Sequence, residues 1–257
     1  MRRRLLVAGV LVAILAAAFG LNALLHSRLL RVTEVRVEGA HLLTRSEVTT
    51  MAAVPAGASL PLLNTRHIEQ NLSREVWIRS ATVSRKLAHK VIITIKERSP
   101  ALAVETGKGA SWLVSADKVW LGSYDLRSGA VQRTGKRAPL VLPAELRAQV
   151  IPLTDVEGLR PQAGKAANNS AVNNAVAISS GLSAELRAQI KSISAPDVVS
   201  TTLYLRSGVE VDIGSAEQIA DKDTIIRQIL KEQAGKVTLI NVTTVDKPTW
   251  RGLETKP

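Results

Sequence analysis

Residues that could do chemistry are few in this chain and poorly assembled. The histidines, His26, His41, His67 and His89, are scattered, and no two have the spacing of a helical or hairpin metal site. Asp221 and Asp223 come nearest to a carboxylate pair. They flank Lys222 in a stretch of helical periodicity and read as a solvated polar face rather than an acid–base couple. Neither a G-x-S-x-G elbow nor a glycine-rich phosphate loop occurs. With no cysteine in 257 residues, thiol catalysis and thiolate metal sites are excluded. Trp77, Trp112 and Trp120 read as core or hairpin packing rather than ligand platforms. These residues offer no catalytic constellation and no expected cofactor, metal or small-molecule site.

The elements that would carry another kind of function begin with an apolar run. Met1-Arg2-Arg3-Arg4 precedes residues 5–25, where Asn22 is the one polar side chain. About 21 residues at ~1.5 Å rise span a hydrocarbon core of roughly 30 Å. The arginines ahead of it hold the N-terminus in the cytoplasm. A cleaved secretory signal shares the basic head, but its apolar core is only about 7–15 residues long. The sequence therefore predicts a cytoplasmic stub at 1–4, one transmembrane helix at 5–25, and the bulk of the chain outside the membrane. The net charge is +12, but the basic residues are dispersed and only 3% of residues are aromatic. Nucleic acid is not an expected partner.

Residues 32–38 alternate Val35 and Val37 with Glu34, Arg36 and Glu38, the period of a half-buried strand ended by Gly39. Thr44-Arg45-Ser46-Glu47 has the form of a capping box, with Val48, Met51 and Ala52 as the apolar stripe of the helix behind it. Asn64 or Thr65 can cap a second helix carrying Ile68, Leu72 and Val76. Strands follow at 80–87 and 91–96, joined by residues 88–90. Strand, helix, helix, strand, strand makes a small α+β domain at 32–99.

The rest of the chain is richer in strands. Short strands are predicted at 101–105, 112–114 and 119–121, then an exposed loop over 127–139, a strand near 151–153 and helices after 170 and at 183–193. The hexapeptide Ala-Glu-Leu-Arg-Ala-Gln occurs at 144–149 and 184–189; two copies with different flanks read as shared helix-favouring composition. Strands at 201–205 and 209–213 form a hairpin through Arg206-Ser207-Gly208. Ser215-Ala216-Glu217-Gln218 has the form of a second capping box, opening a helix with Ile219, Ile226, Ile229 and Leu230 inward. A strand over 237–245 and a Pro/Lys tail at 247–257 complete the chain.

The succession V-x-x-V-x-V-x-G at 32–39, Glu47-Val48, Trp77-Ile78 and Glu97-Arg98-Ser99-Pro100-Ala101 resembles a POTRA domain. More narrowly it resembles that of the FtsQ (DivIB) family of bacterial division proteins. The run at 205–215, with its helix and Val242-Thr243-Thr244-Val245-Asp246-Lys247-Pro248, is similar to the end of the FtsQ β domain in high-GC Gram-positive members. The resemblance implies a β-rich domain with flanking helices at 100–246. Combined with the lack of a catalytic motif, it implies a non-enzymatic scaffold of the division machinery, localised at the septum, that binds FtsB- and FtsL-type proteins outside the membrane and helps control septal peptidoglycan synthesis. The POTRA domain would meet other division proteins. A POTRA-bearing transport or chaperone component that catches substrate strands is the alternative. The serial amphipathic strands of an outer-membrane barrel are missing from the C-terminal half, which disfavours it.

Residues 238–242 follow the last predicted helix and meet a segment that cannot continue a ladder well. Thr238, Leu239, Ile240, Asn241 and Val242 are therefore expected to form an edge strand with unpaired backbone groups. In the family the resemblance points to, that strand accepts a strand of FtsB by β-augmentation. Asn241, Thr243 and Thr244 depart from residues common in the family, and Val198-Val199 stand near the place of an arginine used by some members.

Overall fold

The structure, a computed structural model, describes residues 2–25, 27, 30–86, 89–107, 109–135 and 137–252. The chain divides into two compact units, Met1–Glu97 and Arg98–Pro257.

The first unit opens with helix α1 (Arg2–Leu25). Val10, Leu11, Val12, Ile14, Leu15, Phe19 and Leu21 are exposed on it. Among the described residues no helix is long and apolar enough to cross a membrane. The side chains described in α1 are those of residues 9–23 and 25, so the predicted span at 5–25 lies partly outside them. Beyond α1, the chain at residues 30–32 is stitched to a later loop. Val32 N–H donates to Ala58 O at 2.8 Å, and Leu60 N–H donates to Leu30 O at 2.7 Å.

Then come β1 (Glu34–Glu38), α2 (Arg45–Ala52), α3 (Thr65–Ser73), β2 (Ile78–Lys86) and β3 (Lys90–Glu97). The three strands form one sheet in the order β1-β3-β2, with β1 parallel and β2 antiparallel to β3. Alternation places Val91, Ile93 and Ile95 inward beside Val48, Ala52, Ile68, Leu72 and Trp77, all buried. The capping box forms as predicted. Glu47 N–H donates to Thr44 Oγ1 at 3.2 Å, and Thr44 N–H donates to the Glu47 carboxylate at 2.9 Å. Asn64 caps α3 by accepting from His67 N–H. Sequence reading missed the part played by Glu97, whose carboxylate accepts the N–H groups of His41, Leu42 and Leu43 at 3.1, 2.9 and 2.8 Å. Gly39 is required next to this loop: its φ is +79°, and an added Cβ would lie 2.1 Å from Ile95 O. Leu87, at the end of the predicted strand, and Ala88, at the start of the predicted link, lie outside the described residues.

The second unit runs β4 (Pro100–Glu105), β5 (Ser111–Ser115), β6 (Trp120–Asp125), β7 (Ala130–Val131), β8 (Leu140–Val141), α4 (Ala144–Gln149), β9 (Ile151–Thr154), α5 (Ser170–Gly181), α6 (Ala184–Gln189), β10 (Ile190–Ser194), β11 (Thr202–Leu205), β12 (Glu210–Asp212), α7 (Ile219–Glu232), β13 (Val237–Asn241) and β14 (Thr249–Gly252). All its strands join one sheet, β14-β13-β12-β11-β10-β9-β4-β5-β6-β7-β8. Its main core gathers Leu102, Leu153, Ile193, Leu203 and Val211 from strands with Val172, Val176 and Ile226 from α5 and α7. Trp112 and Trp120 meet edge-on with ring centroids 6.4 Å apart, which bears out their packing role.

Four local expectations are corrected. Residues 127–139 are not loop throughout, because β7 continues the sheet within them and buries Val131; β8 follows directly after them with Leu140 buried. The helix predicted at 183–193 stops at Gln189, after which Ile190 and Ile193 point inward from a strand. Ser215 does not cap α7; Gln218, at φ +52°, is its N-cap and makes no side-chain cap bond. The two hexapeptides share more than composition. Each forms a six-residue helix that runs into a strand, and those strands pair in parallel, Leu153 opposite Ile193, at the same offset as the repeat itself.

A candidate partner-binding edge

Of the predicted edge residues, the strand β13 holds Thr238, Leu239, Ile240 and Asn241, and Val242 follows directly. Ile240 and Val242 are fully buried, and Val237 nearly so, while Thr238, Leu239 and Asn241 are half-buried. This inward set, carried by β-branched residues, fixes which face of the strand meets the core under α7. On one side β13 runs parallel to β12, with Glu210, Val211 and Asp212 opposite Leu239, Ile240 and Asn241. Val242 N–H donates to Asp212 O at 2.9 Å. Backbone groups alternate along a strand, so the N–H of Ile240 also points toward β12, and those of Leu239 and Asn241 point away from it. Asn241 ends the strand by accepting the N–H and the hydroxyl of Thr243 on its own Oδ1.

The outward side is where the expectation fails. β13 is not the sheet's last strand: β14 pairs with it antiparallel, Leu239 opposite Arg251, Ile240 opposite Trp250 and Asn241 opposite Thr249. The segment taken for a structureless tail supplies four residues of strand beyond Pro248. Proline there only delays the ladder, because its missing N–H falls before the paired residues. β14 is held loosely. Thr249, Trp250 and Arg251 are exposed and Gly252 is half-buried.

Gly214 marks the corner where β13 ends. Its φ is +64°, and an added Cβ would lie 3.3 Å from both Thr243 Cγ2 and Val199 O. The fold thus brings Thr243 and Val199 together beside this strand, and Val199 is 71% exposed. Behind the corner sits a polar pin that sequence reasoning missed. Asn174, buried on α5, donates from Nδ2 to Val198 O, Thr201 Oγ1 and Gly214 O at 3.2, 3.0 and 3.0 Å, and its Oδ1 accepts from Ala216 N–H. The only signal for it was an amide on an otherwise apolar helix face.

The reading of Asp221, Lys222 and Asp223 as a solvated face is also corrected, since Lys222 and Asp223 are buried. Lys222 Nζ donates to Ile213 O and Ser215 O at 2.8 Å each, bracing the same corner. Burial holds its pKa below the ordinary lysine value against the pull of Glu217. Asp223 accepts from Ser183 N–H and Oγ at 3.0 and 2.8 Å and pairs with Arg227 at 2.8 Å. Burial alone would push this carboxyl up, but the bonds from Arg227 and Ser183 outweigh it and hold the pKa below the ordinary value. Both side chains are occupied in structure.

Nothing nearby assembles for chemistry. Among the described residues no cluster of histidine and carboxylate could hold a metal ion. His41 and His67 are exposed, His89 Nδ1 lies 3.1 Å from Arg31 O, and His26 is outside the described residues. Ser115 and Lys118 have the S-x-x-K spacing, but across a turn. The Ser115 hydroxyl is buried, donating to Val119 O and accepting Val119 N–H.

The chain was also compared with known proteins. A family profile described as "POTRA domain, FtsQ-type" matches residues 30–98, and one described as "Cell division protein FtsQ/DivIB, C-terminal" matches residues 127–246. The cell division protein FtsQ of Streptomyces bingchenggensis is 30% identical over 233 residues, covering 90% of this chain and 79% of that protein. The chain belongs to the FtsQ/DivIB family. Other FtsQ proteins similar to it are that of Streptomyces venezuelae, 29% identical over 90% of this chain and 77% of that one, and that of Corynebacterium glutamicum, 24% identical over 80% and 81%. The FtsQ-type C-terminal match ends at residue 246, so β14 lies outside it.

Proposed function

We propose that this FtsQ-family protein is a membrane-anchored, non-enzymatic scaffold of the division machinery. Its C-terminal sheet edge binds an extended strand of an FtsB-type partner, with FtsL-type proteins in the same assembly. Through them it helps recruit and regulate septal peptidoglycan synthesis, while the POTRA unit meets further division proteins. One observation carries the reading: Leu239 and Asn241 turn their backbone groups away from β12 toward β14, an exposed strand at the sheet's end. Such an edge recruits strands through its main chain and leaves specificity to side chains. The domains are taken as an anchor at 5–25, POTRA at 32–99 and the β domain at 100–246, with residues 247–257 as an appendage.

The anchor is read from the sequence: about 21 apolar residues at 5–25, behind Arg2, Arg3 and Arg4, match a single span whose N-terminus stays in the cytoplasm.

A fluorescent fusion in dividing cells tests the proposal. A mid-cell ring that co-purifies an FtsB-type protein supports it. Uniform envelope signal without such a partner points to transport or chaperone work and contradicts it.

A further inference from the structure

We infer that β14 is a stand-in for the partner, and that an incoming strand replaces it on β13 instead of adding outside it. The inference rests on the edge-binding reading above and gives that edge its orientation and its gate.

The two strands differ in how they are held. β13 is fixed by β12 on one side and buries Val237 and Ile240. β14 has four residues, one neighbour and no buried side chain. Besides ladder bonds to β13, Thr238 Oγ1 donates to Arg251 O at 3.2 Å. A foreign backbone running antiparallel to β13 can remake the same ladder, so the exchange is close to neutral in main-chain bonds. The balance then lies with side chains. Trp250 leaves 49% of its surface in water, and a partner that carries apolar surface beyond the strand gains what β14 does not. A strand added outside β14 would instead be anchored to an element with no buried side chain among the described residues.

The seat therefore fits an extended segment antiparallel to β13, with about four residues opposite 237–241 and a bulky side chain opposite Ile240, where Trp250 now stands. Between encounters β14 covers an edge that would otherwise be open to pairing with other chains.

The test uses the full chain, a version ending at Asp246, and a Leu239→Cys/Arg251→Cys pair, clean to read because the chain has no other cysteine. Directly opposed strand residues lie at a separation a disulfide accepts. Two probes are used: a synthetic peptide of residues 246–252 and the extracytoplasmic segment of the FtsB-type protein. The shortened chain should bind the peptide at least tenfold more tightly than the full chain does. The oxidised pair should bind neither probe, and reduction should restore binding of the FtsB-type segment. If the peptide behaves so and the FtsB-type segment binds no form, the displaceable strand stands and the partner named above falls. An oxidised pair that binds the FtsB-type segment as well as its reduced form overturns the inference. So does a shortened chain of native melting behaviour that gains no affinity for the peptide.

Discussion

Leu239 stands between two residues of its own chain, Glu210 across a parallel ladder and Arg251 across an antiparallel one. The two sides are unequal. β12 lies between two strands of the sheet, whereas β14 is its last strand among the described residues and is largely exposed.

The first unit depends on two carboxylates that organise one loop. Thr44→Ala removes half of the capping box and should cost about 0.5–2 kcal/mol. Glu97→Ala strips the acceptor from three N–H groups and should cost about 2 kcal/mol or more. Thermal or denaturant unfolding of the full chain should show both losses in the transition of the first unit, with the second unit unchanged.

Asn174 ties the loop at Val198 and Thr201 to the turn at Gly214 and Ala216. Asn174→Ala leaves those buried groups short of a partner and should cost about 1–3 kcal/mol. Because the same turn carries β12 into the corner beside β13, amide exchange at Asp212 and Val242 should quicken more than at Leu102 or Leu113, far along the sheet.

The Asp223 carboxyl titrates below its ordinary value in the fold, so its contribution is complete above about pH 4 and fades as pH falls through the lowered value. Asp223→Asn should be about 2 kcal/mol less stable at pH 7. The gap between parent and variant should narrow below pH 3.8, the ordinary aspartate value. Denaturant titrations at stepped pH give the two curves directly.

Where one rule governed a stretch, the sequence was easy to read. Period-two alternation at Val91, Ile93 and Ile95 and the Thr44–Glu47 box appear in the fold as written. The readings that failed are those where a distant partner decides. Lys222 looks solvated until the carbonyls of Ile213 and Ser215 are brought to its Nζ. Val131 and Leu140 look like loop residues because two-residue strands are too short to show alternation. Thr249–Gly252 has the least pattern of all, since a strand with no buried face carries no hydrophobic period. That is why the sequence points to an edge one strand too early; Thr238, Leu239, Ile240 and Asn241 lie on the strand that β14 covers, and Val242 follows them directly.

Single proline substitutions on β13 test the central claim most directly, because each removes one N–H of known direction. Ile240→Pro and Val242→Pro cut bonds to β12 and should unfold the second unit or lower its melting temperature sharply. Leu239→Pro and Asn241→Pro cut bonds on the outward side. They should leave the melting of the sheet close to the parent's and abolish binding of the FtsB-type segment. A folded Leu239→Pro chain that binds that segment with parental affinity would contradict the account.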